Sequence, residues 1–104
     1  MNDTFNCNTK GVIYLTTCTK CNKQYVGQTG RKLKERMKEH LYNMYQKKEV
    51  TGIHYSLPGH SHWNFKVQVI EKVVPNTPNY RLEREDYWIK TLATKIPLGL
   101  NKND

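Results

Sequence analysis

Two tyrosines and two cysteines share one short stretch. Tyr14 closes "GVIY", Tyr25 stands in "QYVG", and Cys18 and Cys21 form a Cys-x-x-Cys between them. Two thiols at a hairpin tip turn toward one point and suit a metal, whereas redox exchange asks for a thiol at a helix N-terminus. His54 and His60 supply a second pair, separated from the first by 32 residues, long enough for an intervening helix to bring the chain back. Cys18, Cys21, His54 and His60 make a Cys2His2 set for Zn2+, with His62 the alternative to His60 and Cys7 a fallback ligand better suited to the core. Four protein ligands leave no open position, so this zinc is structural. The plainer reading is a buried reduced cysteine pair with surface histidines.

Further along, "YRLEREDYWIKTLATK" has helical periodicity. Leu82, Ile89 and Leu92 mark its core side with Trp88 flanking, and Glu85 falls inside that arc while Glu83 and Asp86 lie toward or beyond its edge. A carboxylate facing a core must be paired, hydrogen-bonded or metal-bound. Arg36 or Arg81 would satisfy it as an ion pair, or it would be a ligand for a hard divalent cation such as Mg2+. Arg36 and His40, four apart on an earlier basic helix, share a strip suited to holding a phosphate.

These side chains need a frame. "GVIYLTT" and "KQYVG" read as two strands of a hairpin, with Gly27 to Gly30 breaking the second and Thr29 placed to cap the next helix. "RKLKERMKEHLYNMYQKK" is that helix, with Leu33, Met37, Leu41 and Met44 in one apolar stripe. "WNFKVQVIEKVV" alternates Phe65, Val67 and Val69, as a third strand with one buried face does. The expected fold is α+β, a small three-stranded antiparallel sheet flanked by helices in β-β-α-β-α order, with the zinc site inserted.

At 104 residues and 37% apolar content, residues 1–104 make a single domain with a modest core that a metal would help to staple. Three cysteines do not close a disulfide framework and no signal peptide precedes Cys7, which points to a reducing, intracellular setting. No run is long enough to span a membrane. The net charge is +8, and nine Lys or Arg against Glu35 and Glu39 fall between Lys20 and Lys48. Such a face suits nucleic acid; a solvated lysine-rich surface is the alternative. Lys23, Arg31, Lys32, Lys34 and Lys38 are the expected DNA contacts.

Taken together, these positions resemble the GIY-YIG nuclease family, from about Gly11 to Asn101. "GVIY" matches its first motif and "QYVG" its second; the family arginine falls on Arg36 and its metal-binding glutamate on Glu85. A late asparagine matches Asn101 in "GLN" and is counted with the DNA contacts. The Cys-x-x-Cys between the tyrosine motifs departs from most members and is similar to the endonuclease domain of Penelope-like retroelements. The resemblance implies a Mg2+- or Mn2+-dependent DNA endonuclease, nicking a duplex target for retrotransposition. It implies a domain cut from the C-terminal part of a reverse-transcriptase polyprotein, nuclear, and monomeric when isolated. Tyr14 or His40 would act as general base, with His40 the better tuned near neutral pH; Tyr25 would position water or phosphate, and Arg36 would neutralise charge. The competing function is a zinc-stabilised nucleic-acid-binding module without catalysis.

Overall fold

A computed structural model describes residues 9–46, 54, 57–60, 65–96 and 98–101, the side chains of 43–46 excepted. The unbroken apolar run after Gly11 becomes the central strand. β1 (Lys10–Cys18) pairs antiparallel with β2 (Gln24–Lys32) on one side and β3 (Phe65–Lys72) on the other. A strand paired along both edges and covered on both faces must be apolar throughout, and Val12, Ile13, Tyr14 and Cys18 are fully buried.

Alternation along β1 then sorts two faces. Ile13 and Leu15 join Val26 and Val73 against Tyr80, Trp88, Ile89 and Leu92, all four on α2 (Pro78–Leu92). Val12 and Tyr14 point the other way, onto Leu33 and Met37 of α1 (Leu33–Gln46). Cys18 and Leu100 form a third cluster with Tyr25, Leu41 and Phe65 at the hairpin end. The described residues therefore have the expected order, β-β-α-β-α, with a three-stranded antiparallel sheet and two helices.

Four local expectations fail for physical reasons. β2 does not break at Gly27; it runs on to Lys32 and α1 follows directly at Leu33. Gly27 lies opposite Tyr14 in the register, and a Cβ there would overlap the Tyr14 ring. The glycine is a slot for an aromatic ring. Thr29 sits buried inside β2, its Oγ1 accepting the Arg31 N–H at 3.1 Å, and caps no helix.

β3 keeps its alternation only in part. Phe65 and Val69 pack inward as expected, while Val67 is 38% exposed. A register shift between Ile13 and Tyr14 leaves Ile70 as an extra residue, and this bulge turns both Ile70 and Glu71 toward α2. On α2, Leu82 is exposed. It shares a stripe with Ile89, but two turns nearer the helix N-terminus, where Arg81 and Arg84 reach the sheet instead. Arg84 grips Glu71 through both oxygens at 2.8–3.0 Å, Trp88 Nε1 donates to the same carboxylate at 2.9 Å, and Arg81 Nε donates to Gln28 at 2.9 Å. Cys7, His62 and the Met44 side chain lie outside the described residues.

If Gly27 is a ring slot, Gly27→Ala should cost about 1–3 kcal/mol by overpacking. Urea unfolding checks this, and the penalty should shrink sharply in a Tyr14→Ala background, because the ring that creates the clash is gone.

Candidate active site and metal cluster

Tyr14 is held on the central strand with no exposed surface. Its phenol reaches over Gly27, and burial pushes its pKa well above the ordinary value for a tyrosine. Tyr25 adds to that rise and Glu85 contributes further, while the Arg36 guanidinium opposes it. A carboxylate and a guanidinium therefore act on the same phenol from two different helices. Glu85 is half-buried on the inner face of α2, with Glu83 and Asp86 exposed on either side of it. Arg81, one of the partners considered for Glu85, is directed at Gln28 and Asn76.

Tyr25 packs against the Tyr14 cluster and stacks on His40, ring centroids 5.6 Å apart at 24°. Phe65 meets His40 edge-on at 6.4 Å. Tyr14, Tyr25, Arg36, His40 and Glu85 are thus linked by a continuous set of contacts and charges, although they come from β1, β2, α1 and α2.

His40 needs a correction. It is 1% exposed, and neither ring nitrogen has a described hydrogen-bond partner. Burial, with the positive charge of Arg36, lowers its pKa to about 4. It is not tuned near neutral pH; at pH 7 it is a neutral ring in an aromatic stack.

Asn101 also departs from expectation. Its side chain is buried behind β2, where Oδ1 accepts from the Val26 N–H at 2.8 Å and the Thr94 hydroxyl at 2.6 Å, and Nδ2 donates to the Val26 carbonyl at 2.9 Å. With Leu100 N–H donating to Gln24 O at 2.8 Å, it covers the outer edge of β2. Its amide is spent inside the protein and is not offered to DNA. Lys34 and Lys38 are on α1, Lys32 is half-buried at the end of β2, and Lys23 lies beside the hairpin tip. Arg31, exposed, meets Glu39.

The four residues proposed from spacing do converge. The Cys18, Cys21, His54 and His60 ligand atoms all lie within 4.8 Å of one another. A tetrahedral ion with bonds of about 2.0–2.3 Å needs its ligand atoms about 3.3–3.8 Å apart, and Cys21 Sγ and His54 Nε2 are 3.4 Å apart. His60 Nε2 is buried without a described hydrogen-bond partner, while its Nδ1 lies 3.4 Å from the Pro58 carbonyl. That carbonyl selects the tautomer with Nδ1–H and leaves the Nε2 lone pair turned inward. The Lys20 N–H approaches Cys18 Sγ at 3.4 Å, as a donor to a thiolate would. The hairpin turn is closed by Cys18 N–H to Lys23 O and Asn22 N–H to Cys18 O, both 2.9 Å, with Asn22 at φ 64°. Asparagine tolerates that left-handed backbone better than most residues.

Phe65, Gln28 and Asn76 were not foreseen as parts of the site. Each acts through partners distant in sequence, and nothing in its local pattern marks it.

A family model described as the GIY-YIG catalytic domain matches residues 10–97. The chain is also similar to the solved catalytic domain of the homing endonuclease I-TevI, at 27% identity and a TM-score of 0.74, covering 91% of this chain and 100% of that one. Comparison with curated proteins finds no match.

The burial of His40 has a pH signature. Its neutral form is favoured in the folded state, so its contribution is full above about pH 6.5 and is lost as pH falls toward 4. Up to ~3 kcal/mol of stability should disappear across that window. Urea unfolding against pH should show a shallower fall for His40→Phe, and the wild-type imidazole should titrate near pH 4 by NMR.

Proposed function

The chain belongs to the GIY-YIG family, and on that premise we propose that it is a divalent-metal-dependent DNA endonuclease that nicks a duplex by phosphodiester hydrolysis. The observation that carries the reading is a buried tyrosine, Tyr14 on the central strand, that feels the charge of both Arg36 and Glu85 from separate helices. A binding module has no use for a carboxylate there. The likeness to a homing endonuclease catalytic domain supports the same reaction class.

Water attacks the scissile phosphorus, the bond to the 3′ oxygen breaks, and a 5′ phosphate and a 3′ hydroxyl result. Arg36 neutralises the non-bridging oxygens as charge builds on them. Tyr14 orients the attacking water or takes its proton, and of the groups acting on it Arg36 favours the phenolate. Tyr25 positions water or phosphate beside it. His40, neutral and stacked, keeps Tyr25 in place and is not the general base. A half-buried carboxylate such as Glu85 suits Mg2+ or Mn2+, which keeps several waters. When bound, that cation supplies Lewis acidity at the scissile phosphate and offsets the negative charge that disfavours the Tyr14 phenolate. Lys23, Arg31, Lys32, Lys34 and Lys38 hold the DNA backbone.

In the second site Cys18, Cys21, His54 and His60 hold a structural Zn2+, which stabilises the hairpin and takes no part in the reaction. A zinc knuckle between the two tyrosine motifs supports a finer reading. On it, this is the endonuclease domain of a Penelope-like retroelement, cutting nuclear target DNA beside a fused reverse transcriptase.

Supercoiled plasmid with Mg2+ or Mn2+ should be converted to open circle. Glu85→Ala should lower the rate by roughly 100-fold or more while DNA affinity stays within about threefold. Loss of binding together with cutting would make Glu85 structural and sink the assignment.

Cys21 is exposed, so Cys21→Ser removes little packing. It should nonetheless lose stoichiometric zinc and lower the melting temperature by roughly 10 °C or more. Unchanged melting in a strong chelator would remove the zinc.

A further inference from the structure

Arg36 has a second engagement, on the solvent side. Its Nη1 lies 3.2 Å from Glu39 Oε1, and Arg31 Nη2 donates to the other oxygen, Oε2, at 2.6 Å. Two guanidiniums, one at the end of β2 and one on α1, thus converge on a single carboxylate, each taking one oxygen. Arg31 holds the Glu39 carboxyl below the usual carboxylate range, so it is fully ionised at neutral pH. The Arg36 side chain is 17% exposed, whereas Arg31 and Glu39 are about half exposed, at 55% and 48%. The carboxylate therefore sits at the mouth of the site, directly outside the arginine that acts on Tyr14.

We propose that Glu39 stands where a DNA backbone phosphate binds, and that Arg31 and Arg36 together form the phosphate site. This rests on the nuclease reading above. A phosphodiester presents two non-bridging oxygens to two guanidiniums much as a carboxylate does. An exposed ion pair is worth only about 0–1 kcal/mol, so the polyanion displaces Glu39 at small cost, and the freed side chain swings into solvent from its helix. In the resting protein Glu39 keeps Arg31 and Arg36 oriented and spaced. The bland alternative, a surface ion pair that supports α1, accounts for Arg36 by its i,i+3 spacing on the helix but not for Arg31 reaching the same carboxylate from the end of β2.

Glu35 supplies the control. It is exposed on the same helix, one turn earlier, and carries the same charge. Binding of a short labelled duplex is followed by fluorescence anisotropy in zinc-containing, magnesium-free buffer. Glu39→Gln should tighten binding about fivefold at low salt and steepen the salt dependence by about one unit, while Glu35→Gln changes affinity less than about twofold. In an Arg31→Ala background, the gain from Glu39→Gln should fall to that of Glu35→Gln. Equal gains from the two glutamines, or a gain that survives Arg31→Ala, would reduce the effect to net charge and overturn the phosphate site while leaving the nuclease reading intact. A wild-type protein that neither binds nor nicks DNA would overturn both. Melting of Glu39→Gln close to wild type confirms that the comparison is between folded proteins, and the isosteric amide should give it.

Discussion

The ring of Tyr14 lying over Gly27 is the contact that the rest of the site depends on. β1 is the middle strand and is covered on both faces, so a tyrosine there is buried whole, hydroxyl included. Directly opposite, β2 carries the one residue type with no side chain to obstruct it. The phenol therefore extends across β2, where charge from α1 and from α2 can act on it at once. Fill the slot and the tyrosine must move away from both Arg36 and Glu85. The same contact explains why a glycine sits in mid-strand, where it would otherwise only weaken β2.

That arrangement makes β2 an edge strand with a demanding position, and the chain secures it from outside. Asn101 satisfies both the N–H and the carbonyl of Val26, as a neighbouring strand would, and Leu100 bonds to Gln24. At the hairpin end the Cys/His cluster closes the turn, and Cys18 packs with Tyr25, Leu41 and Phe65. The Cys/His cluster and the aromatics of the candidate site thus share one small hydrophobic unit. A modest core makes such external ties necessary: they hold an edge strand that little apolar burial would hold alone.

Much of this was legible in the sequence. Spacing alone brought Cys18, Cys21, His54 and His60 together, because thiol and imidazole pairs have few other reasons to recur at ligand intervals. Helical phase singled out Glu85 from Glu83 and Asp86, since a carboxylate inside an apolar arc conflicts with its surroundings. What sequence could not supply was anything decided by a distant partner. Gly27 looked like a strand break because the ring that needs it is thirteen residues earlier on another strand. His40 looked well tuned because periodicity shows a face and not how deep it lies. Leu82 was placed in the core on phase, but depth along the helix matters too, and at that end arginines reach the sheet. Asn101 was counted with the DNA contacts only by matching a late family asparagine, and no local sign shows that Val26 claims its amide.

The placement of Glu85 raises a last mechanical question, because α2 has no fully buried residue to fix it. Apolar packing through Trp88, Ile89 and Leu92 holds the helix against the sheet but tolerates small rotations about its axis. Directional bonds do not. Arg81 reaches Gln28 on β2, and Arg84 and Trp88 both reach Glu71 on β3. Two anchors on opposite edges of the sheet, from residues on either side of Glu85 in sequence, leave one rotation compatible with both. The bulge at Ile70 belongs to the same device, since it turns Glu71 toward α2. A charged inner face would be a poor way to stabilise a helix, each polar group losing its hydration for a bond worth about 1 kcal/mol. It is an effective way to fix the position from which the Glu85 carboxylate acts on the phenol of Tyr14.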